Sequence, residues 1–528
     1  MWRGARVLVL AALGLLAGPS LAHKKYNITV GYLPCITGAL RNRQGLTISG
    51  ALSLALGELN NRTDILPDVE ILFKWHDTKC DTTTTTRLID DMSLAGVVAF
   101  FGPEGPCHNE AVTAQTRNLP IIAYRCSDYQ NLTLPNFALL EPPAAQATRS
   151  VTSLLRYYKW NKFSIIYEES WETDAMILEN HAKQNNMTVI FQKPVIDLLK
   201  CCEEKMACCA PGSWNRIIHE TKNRTRIYVF LGSISGLIEM MTAMDGHQLF
   251  SIGDYMVIFV DMMTYSSQDS LKYVIKTEDR GLLCPKIEQF KKRAQSLLVV
   301  ASSEPSREYQ AFIDKVRKYN SLPPFNFPNA FGSRYFKFVS IYAAYLYDSV
   351  YLYAKALDEI IKEETKHELL THEKLLEISS NGTNIVSKMV KSSPFKSVSG
   401  TLIHLDEQAY SEGNFSVFAF KHREGIDKKT ECDYGMVPVG NFLYRRNKFP
   451  FYKLNGRIPI DWPGNVKPED EPSCGFNNEK CPRDDSQVTS LVVAGTLAVT
   501  LMVLLLGVLV TIYRLKNSTA GRQNEMLK

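Results

Sequence analysis

The side chains best able to do covalent chemistry in this chain are its 12 cysteines, all of which fall between Cys35 and Cys481. An even number in a region bearing export signals favours disulfides over metal ligation. Cys201, Cys202, Cys208 and Cys209 form a dense CC-x5-CC knot whose connectivity the spacing does not settle, with a metal site as the alternative to two bridges. Two further strings invite a catalytic reading. The run His367-Glu-Leu-Leu-Thr-His372 resembles a zinc-protease helix, but its histidines are five positions apart. That is about 140° around a helix, so they cannot share one ion. Gly232-Ser-Ile-Ser-Gly236 has the outline of a nucleophile elbow, yet Ile234 stands where the serine must be. The chain shows no Gly-Lys phosphate loop and no kinase signature set. These residues predict no catalysis, no metal and no cofactor.

The surrounding pattern alternates short β-branched runs with longer amphipathic ones. Strands are expected at 28–33, 69–75, 97–101 and 120–124, with helices at 45–59, 84–94 and 109–116 between them. The rhythm restarts after Trp160, with strands at 162–167, 188–192, 226–231 and 255–260 and helices at 174–184 and 236–244. Continuous apolar strands in a βαβα order indicate a parallel sheet covered on both faces. Two such units predict a bilobed α/β protein whose strand-end loops face a crevice. Those loops carry the local site candidates: Thr37 and Gly38 after the first strand, Glu104 and Gly105 after the third, and Ser127, Glu168 and Asp261 after later ones. They either hold a ligand or simply cap helices and close the lobes. A helical pattern over 336–362 is rich in tyrosine, which reads as packing rather than a ligand site.

Both ends predict passage through a membrane. Arg3 and Arg6 precede an apolar run at 7–17, and Ser20-Leu21-Ala22 offers small residues for cleavage, so 1–22 reads as a signal peptide. Residues 491–513 form an apolar stretch with Asp484 and Asp485 before it and Arg514, Lys516 and Arg522 after it. Its length suits one helix across ~30 Å of hydrocarbon, and the cationic side faces the cytoplasm. The expected product is a type I plasma-membrane protein: an outer region at 23–451, a proline-punctuated stalk at 452–490, the span, and a short tail at 514–528. That tail has no room for a catalytic domain. Its basic residues suit contact with anionic lipid. Sequons at Asn27, Asn61, Asn131, Asn186, Asn223, Asn381 and Asn414 fit a glycosylated surface. Of the +5 formal charge, the signal peptide carries two and the tail three, so the mature outer region is neutral. Nothing in that balance calls for nucleic acid.

Several segments together resemble the ligand-binding region of natriuretic-peptide receptors and receptor guanylyl cyclases, the invertebrate cyclases above all. They are YNITVGYLPCITG at 26–38, FGPEGPC at 101–107, RIYVFLG at 226–232, YMVIFVDMM at 255–263, GTLIHLDEQAYSEGNFSVFAF at 400–420 and CGFNNEKC at 474–481. The resemblance implies the bilobed type I periplasmic-binding-protein fold, two doubly wound parallel-sheet lobes. It also implies disulfides between Cys80 and Cys107 and between Cys474 and Cys481. Cys35 and Cys126, which follow the first and fourth strands at the same sheet edge, are then expected to pair, leaving Cys284 and Cys432. Natriuretic-peptide receptors hold chloride on the backbone N–H groups of a Gly-Cys pair. Here the pair is Pro106-Cys107, and proline has no N–H, so chloride binding is not expected.

The resemblance implies a receptor that takes an extracellular peptide between two copies, as a homodimer or as a heterodimer with a receptor guanylyl cyclase. With no cyclase in this chain, the expected role is that of a clearance, decoy or truncated form. The alternatives are an incomplete version of a full cyclase that makes cGMP, and a co-receptor sensing a small solute in its crevice.

Overall fold

The computed structural model describes residues 25–38, 43–129, 132–196, 212–275, 287–306, 308–327, 339–366, 369–392, 394–423, 434–443, 449–456, 458–481 and 486–525. The signal peptide, the Cys201–Cys209 knot, Cys284, Cys432, His367 and Asn131 fall outside them. The first lobe is a parallel sheet of β1 (Tyr26–Tyr32), β2 (Val69–Trp75), β3 (Val97–Phe101), β4 (Ile121–Ala123) and β5 (Phe137–Leu139), in the order β2-β1-β3-β4-β5. Every residue of β3 is buried. Phe101 points into the cluster around Tyr353, and its neighbour Phe100 into the cluster on the opposite face. That two-sided burial is why the strand reads as an unbroken apolar run rather than an alternating one.

The second lobe repeats the order. Here β6 (Lys162–Glu168), β7 (Thr188–Val195), β8 (Ile227–Leu231), β9 (Met256–Thr264) and β10 (Leu297–Ser302) form the parallel half, as β7-β6-β8-β9-β10. Three antiparallel strands extend it: β11 (Phe415–His422), β12 (Tyr434–Leu443) and β13 (Phe451–Leu454). The lobes are therefore doubly wound, as expected, with an antiparallel extension in the second. The chain crosses between lobes three times. It leaves β5 for the helix Ala144–Tyr158, returns after β10 to the helices Tyr309–Asn320 and Tyr342–Glu364, and crosses again into β11. The tyrosines of Tyr342–Glu364 pack in the first lobe, where Tyr347 donates to Glu58 at 2.5 Å and Tyr353 to the Ser379 carbonyl at 3.1 Å.

The segment expected as the start of a stalk is part of the second lobe. β13 is its last strand, and Trp462 packs on Tyr158 and Trp160 with ring centroids 5.3 and 6.1 Å apart. Trp160 donates its indole N–H to the Pro468 carbonyl at 2.8 Å, and Asp470 accepts from the amides of Asn161 and Lys162. The proline-punctuated segment that suggested a stiff stalk is, up to Asp470, a strap along the lobe held by these contacts.

A second compact unit covers 471–528. It contains the Cys474–Cys481 disulfide, as expected, and the helix Ser486–Glu525. Within that helix, Thr489–Asn517 is long and apolar enough to cross a membrane, with none of its most apolar stretch buried. Thr496, Thr500 and Thr511 turn their hydroxyls back onto carbonyls four residues earlier, which satisfies these three donors within the helix.

Candidate functional site

In both lobes the strand order reverses between the first and third strands, and ligands of such sheets bind outside the carboxyl ends at that point. Each lobe places a buried glutamate there. In the first lobe Glu104 accepts from the amides of Gln44 and Gly45, where the helix Gly45–Ile48 begins, and from Arg125 at 3.1 Å. Burial pushes its carboxyl up to about 7 against the pull of Arg125. In the second lobe Glu168 accepts from the Ser233 amide at 3.0 Å and hydroxyl at 2.6 Å. Ser233 in turn caps the helix Ile234–Gly246 by accepting from the Gly236 amide. A Cβ on Gly236 would sit 2.5 Å from a Glu168 oxygen, and one on Gly232 2.9 Å from its carbon chain. The Gly-Ser-Ile-Ser-Gly string is thus a seat for Glu168.

The other candidates are engaged locally. Thr37 donates its amide and hydroxyl to Asp77, and Gly38 takes φ +106° with the Lys79 carbonyl where a side chain would go. Gly105 pairs with Cys126 in a two-strand ribbon whose carbonyl takes the Ser127 amide. Asp261 is held by Lys272 at 2.9 Å and Tyr273 at 2.7 Å. Of the seven, Ser127 alone is among the residues lining the cleft between the lobes, with Ser170, Trp171 and Met262 following Glu168 and Asp261 on the opposite wall. Tyr129, Glu141 and Asp174 complete its polar lining. These three carry no motif, and only the topology brings them to the crevice.

The disulfides at the first lobe's edge differ from expectation. Cys35 pairs with Cys80 and Cys107 with Cys126, with Cα atoms 5.2 and 5.6 Å apart. Sheet order explains this. β2 pairs with β1 and β4 with β3, so each bridge joins loops of adjacent strands. Cys80 to Cys107 would have to pass over β1, roughly 9–10 Å at ordinary strand spacing, beyond disulfide reach. Cys35 to Cys126 would have to pass over β3 in the same way.

Asp128 accepts from the amides of Cys107 at 2.7 Å and His108 at 3.3 Å, where the helix His108–Gln115 begins. A resident carboxylate thus occupies donors that point at an anion. We expect the melting temperature of the wild-type protein to be indifferent to replacing chloride by gluconate, and that of Asp128→Ala to rise with chloride. Chloride dependence in the wild type would refute this.

Two doubly wound lobes, joined by three crossings around a lined cleft, define a bilobed ligand-binding protein. The sequence profile described as the receptor family ligand binding region matches residues 47–423, and the chain belongs to that family. It is 47% identical over 483 residues to the receptor-type guanylate cyclase Gyc76C of Drosophila melanogaster, covering 90% of this chain and 31% of that one. Guanylate cyclase 32E of the same fly is 28% identical over 538 residues, 98% of this chain and 42% of its own. The speract receptor of Strongylocentrotus purpuratus is 26% identical over 472 residues, 83% and 40%. The chain therefore spans about a third to two-fifths of the length of these relatives. The region it matches is the ligand-binding portion of receptor guanylate cyclases.

Proposed function

We propose that this chain is the ligand-binding and membrane-spanning part of a single-pass type I receptor for an extracellular peptide, acting as a dimer. The observation that carries the reading is the 47% identity to a receptor-type guanylate cyclase across 90% of the chain. The helix Ser486–Glu525 that follows the lobes fits the same reading. A cleft of about 280 Å³ suits a small molecule, so a peptide ligand is better placed on an outer face shared by two copies. The exposed sequons Asn27, Asn61, Asn186, Asn223 and Asn381 are proposed to carry glycans, with half-buried Asn414 the poorest acceptor.

The reading is tested on cells that express the full chain with a tag at each end of the mature protein. The N-terminal tag should stain on intact cells and the C-terminal one only after permeabilisation. A membrane-impermeant crosslinker should give a band at twice the monomer mass. Reversed staining refutes the orientation, and a monomer at every crosslinker dose refutes the dimer. The clearance or decoy role expected from the sequence predicts a deglycosylated band in native tissue near the mature chain mass, a little below the 59.6 kDa of the whole sequence with its signal peptide. A far larger band alone would instead place a cyclase downstream.

A further inference from the structure

The cleft holds a buried carboxylate that no basic side chain of its lining meets. Asp174 is 7% exposed and lines the cavity, and its Oδ1 has no hydrogen-bond partner. The phenolic oxygen of Tyr129, in the same lining, is buried and near enough to Asp174 to favour its charged form, with no well-formed hydrogen bond between the two. Glu141 differs, because Tyr342 donates to one of its oxygens at 2.6 Å and the Cys126 amide to the other at 3.1 Å. No Lys, Arg or His belongs to the lining among the described residues. Asp174 lies in the first turn of the helix Glu172–Gln184, whose dipole favours a negative charge there. That contribution is modest, and a lone buried carboxylate remains costly until a cation joins it.

We infer that the interlobe cleft binds a small organic ammonium ion, with Asp174 as its counterion and Trp171 and Met262 enclosing its apolar body. The indole of Trp171 offers an aromatic face beside the charge, which suits a cation. A ligand bearing its own carboxylate would meet two acidic side chains and no basic one, so an amine is favoured over an amino acid. Walls from both lobes line the cleft: Ser127 and Tyr129 on one side, Trp171, Asp174 and Met262 on the other. An occupant would therefore hold the lobes at one spacing. Burial pushes the Asp174 carboxyl up to about 6, as expected for a charge awaiting its partner. The inference does not depend on the peptide reading, because the cleft lies within one copy.

The test is calorimetric titration of the full chain in detergent with phenethylamine, phenylalanine and 3-phenylpropionate. Phenethylamine should bind saturably, phenylalanine about tenfold more weakly, and 3-phenylpropionate not at all. Asp174→Asn should weaken phenethylamine binding by about 30-fold or more, with the unliganded melting temperature kept or raised. Should that variant misfold, Trp171→Leu serves instead and should cost several-fold in affinity. Three results would overturn the inference: no saturable binding at millimolar phenethylamine, equal affinity in Asp174→Asn, or 3-phenylpropionate binding as tightly as the amine.

Discussion

Replacing Trp160 by alanine should destabilise the second lobe by about 3–5 kcal/mol, the usual cost of emptying a large aromatic site in a core. Trp160 has no exposed surface, and its ring packs 4.9 Å from Tyr158 and 6.1 Å from Trp462. Its indole N–H is the donor to the Pro468 carbonyl, so truncation also removes a clamp on the strap that ends at Asp470. Two effects should appear together: a lower melting temperature, and new protease cuts between 455 and 470 at temperatures where the lobes stay folded. Trp160→Phe keeps most of the ring and loses only the hydrogen bond, which should cost about 1–2 kcal/mol while still exposing the strap. A melting temperature unchanged in Trp160→Ala would mean that the strap and lobe are not coupled through this residue.

The same residue shows what the sequence could and could not convey. The strands β3 and β8 were legible because burial on both faces leaves an unbroken apolar run, VVAFF and IYVFL, that few other structures produce. The strap was misjudged because Pro459, Pro463 and Pro468 signal a break in regular structure and say nothing about docking. Trp462, in the midst of that polar stretch, was the cue for a buried contact. Disulfide partners were illegible for a different reason: they depend on which strands are neighbours, and β1 lies between β2 and β3 only in the assembled sheet. Among the site candidates, Glu104 and Glu168 were recognisable as strand-end acids, but whether each met a ligand or a helix N-terminus was a question of geometry. Asp174 has no motif, since an acid in a helix's first turn is commonplace and matters here only because a cleft opens beside it. The long tyrosine-rich helix was read as packing, and its phenols do find Glu141, Glu58 and the Ser379 carbonyl within the fold.

The folded chain should melt higher at pH 5.5 than at pH 7.5. Burial holds the carboxyls of Glu104, Glu110, Asp348 and Glu412 up to about 7 and that of Asp174 up to about 6. These values lie above those of the unfolded chain, near 4, so across the interval between them the folded state keeps protons that the unfolded state has released. Stability from such groups is full below pH 4 and is lost as pH rises through 7. His181 opposes the trend, because burial lowers it to about 4 and its contribution is lost as pH falls below its ordinary 6.5. Burial lowers His404 as well, and two histidines against five carboxyls leave the net slope negative between pH 5.5 and 7.5. Asp348 gives the cleanest probe: it is fully buried, accepting from the Ser397 hydroxyl and the Val398 amide. Asparagine can accept from that amide and donate to that hydroxyl, so Asp348→Asn should match the wild type near pH 4, exceed it at pH 5.5 and exceed it by more at pH 7.5. Each tenfold step in proton affinity is worth about 1.4 kcal/mol, which makes the gain on the order of 1 kcal/mol or more at the higher pH. A variant that loses stability equally at both pH values would show that Asp348 serves the fold as an anion, and that the carboxylates here are matched by charges rather than stranded by burial.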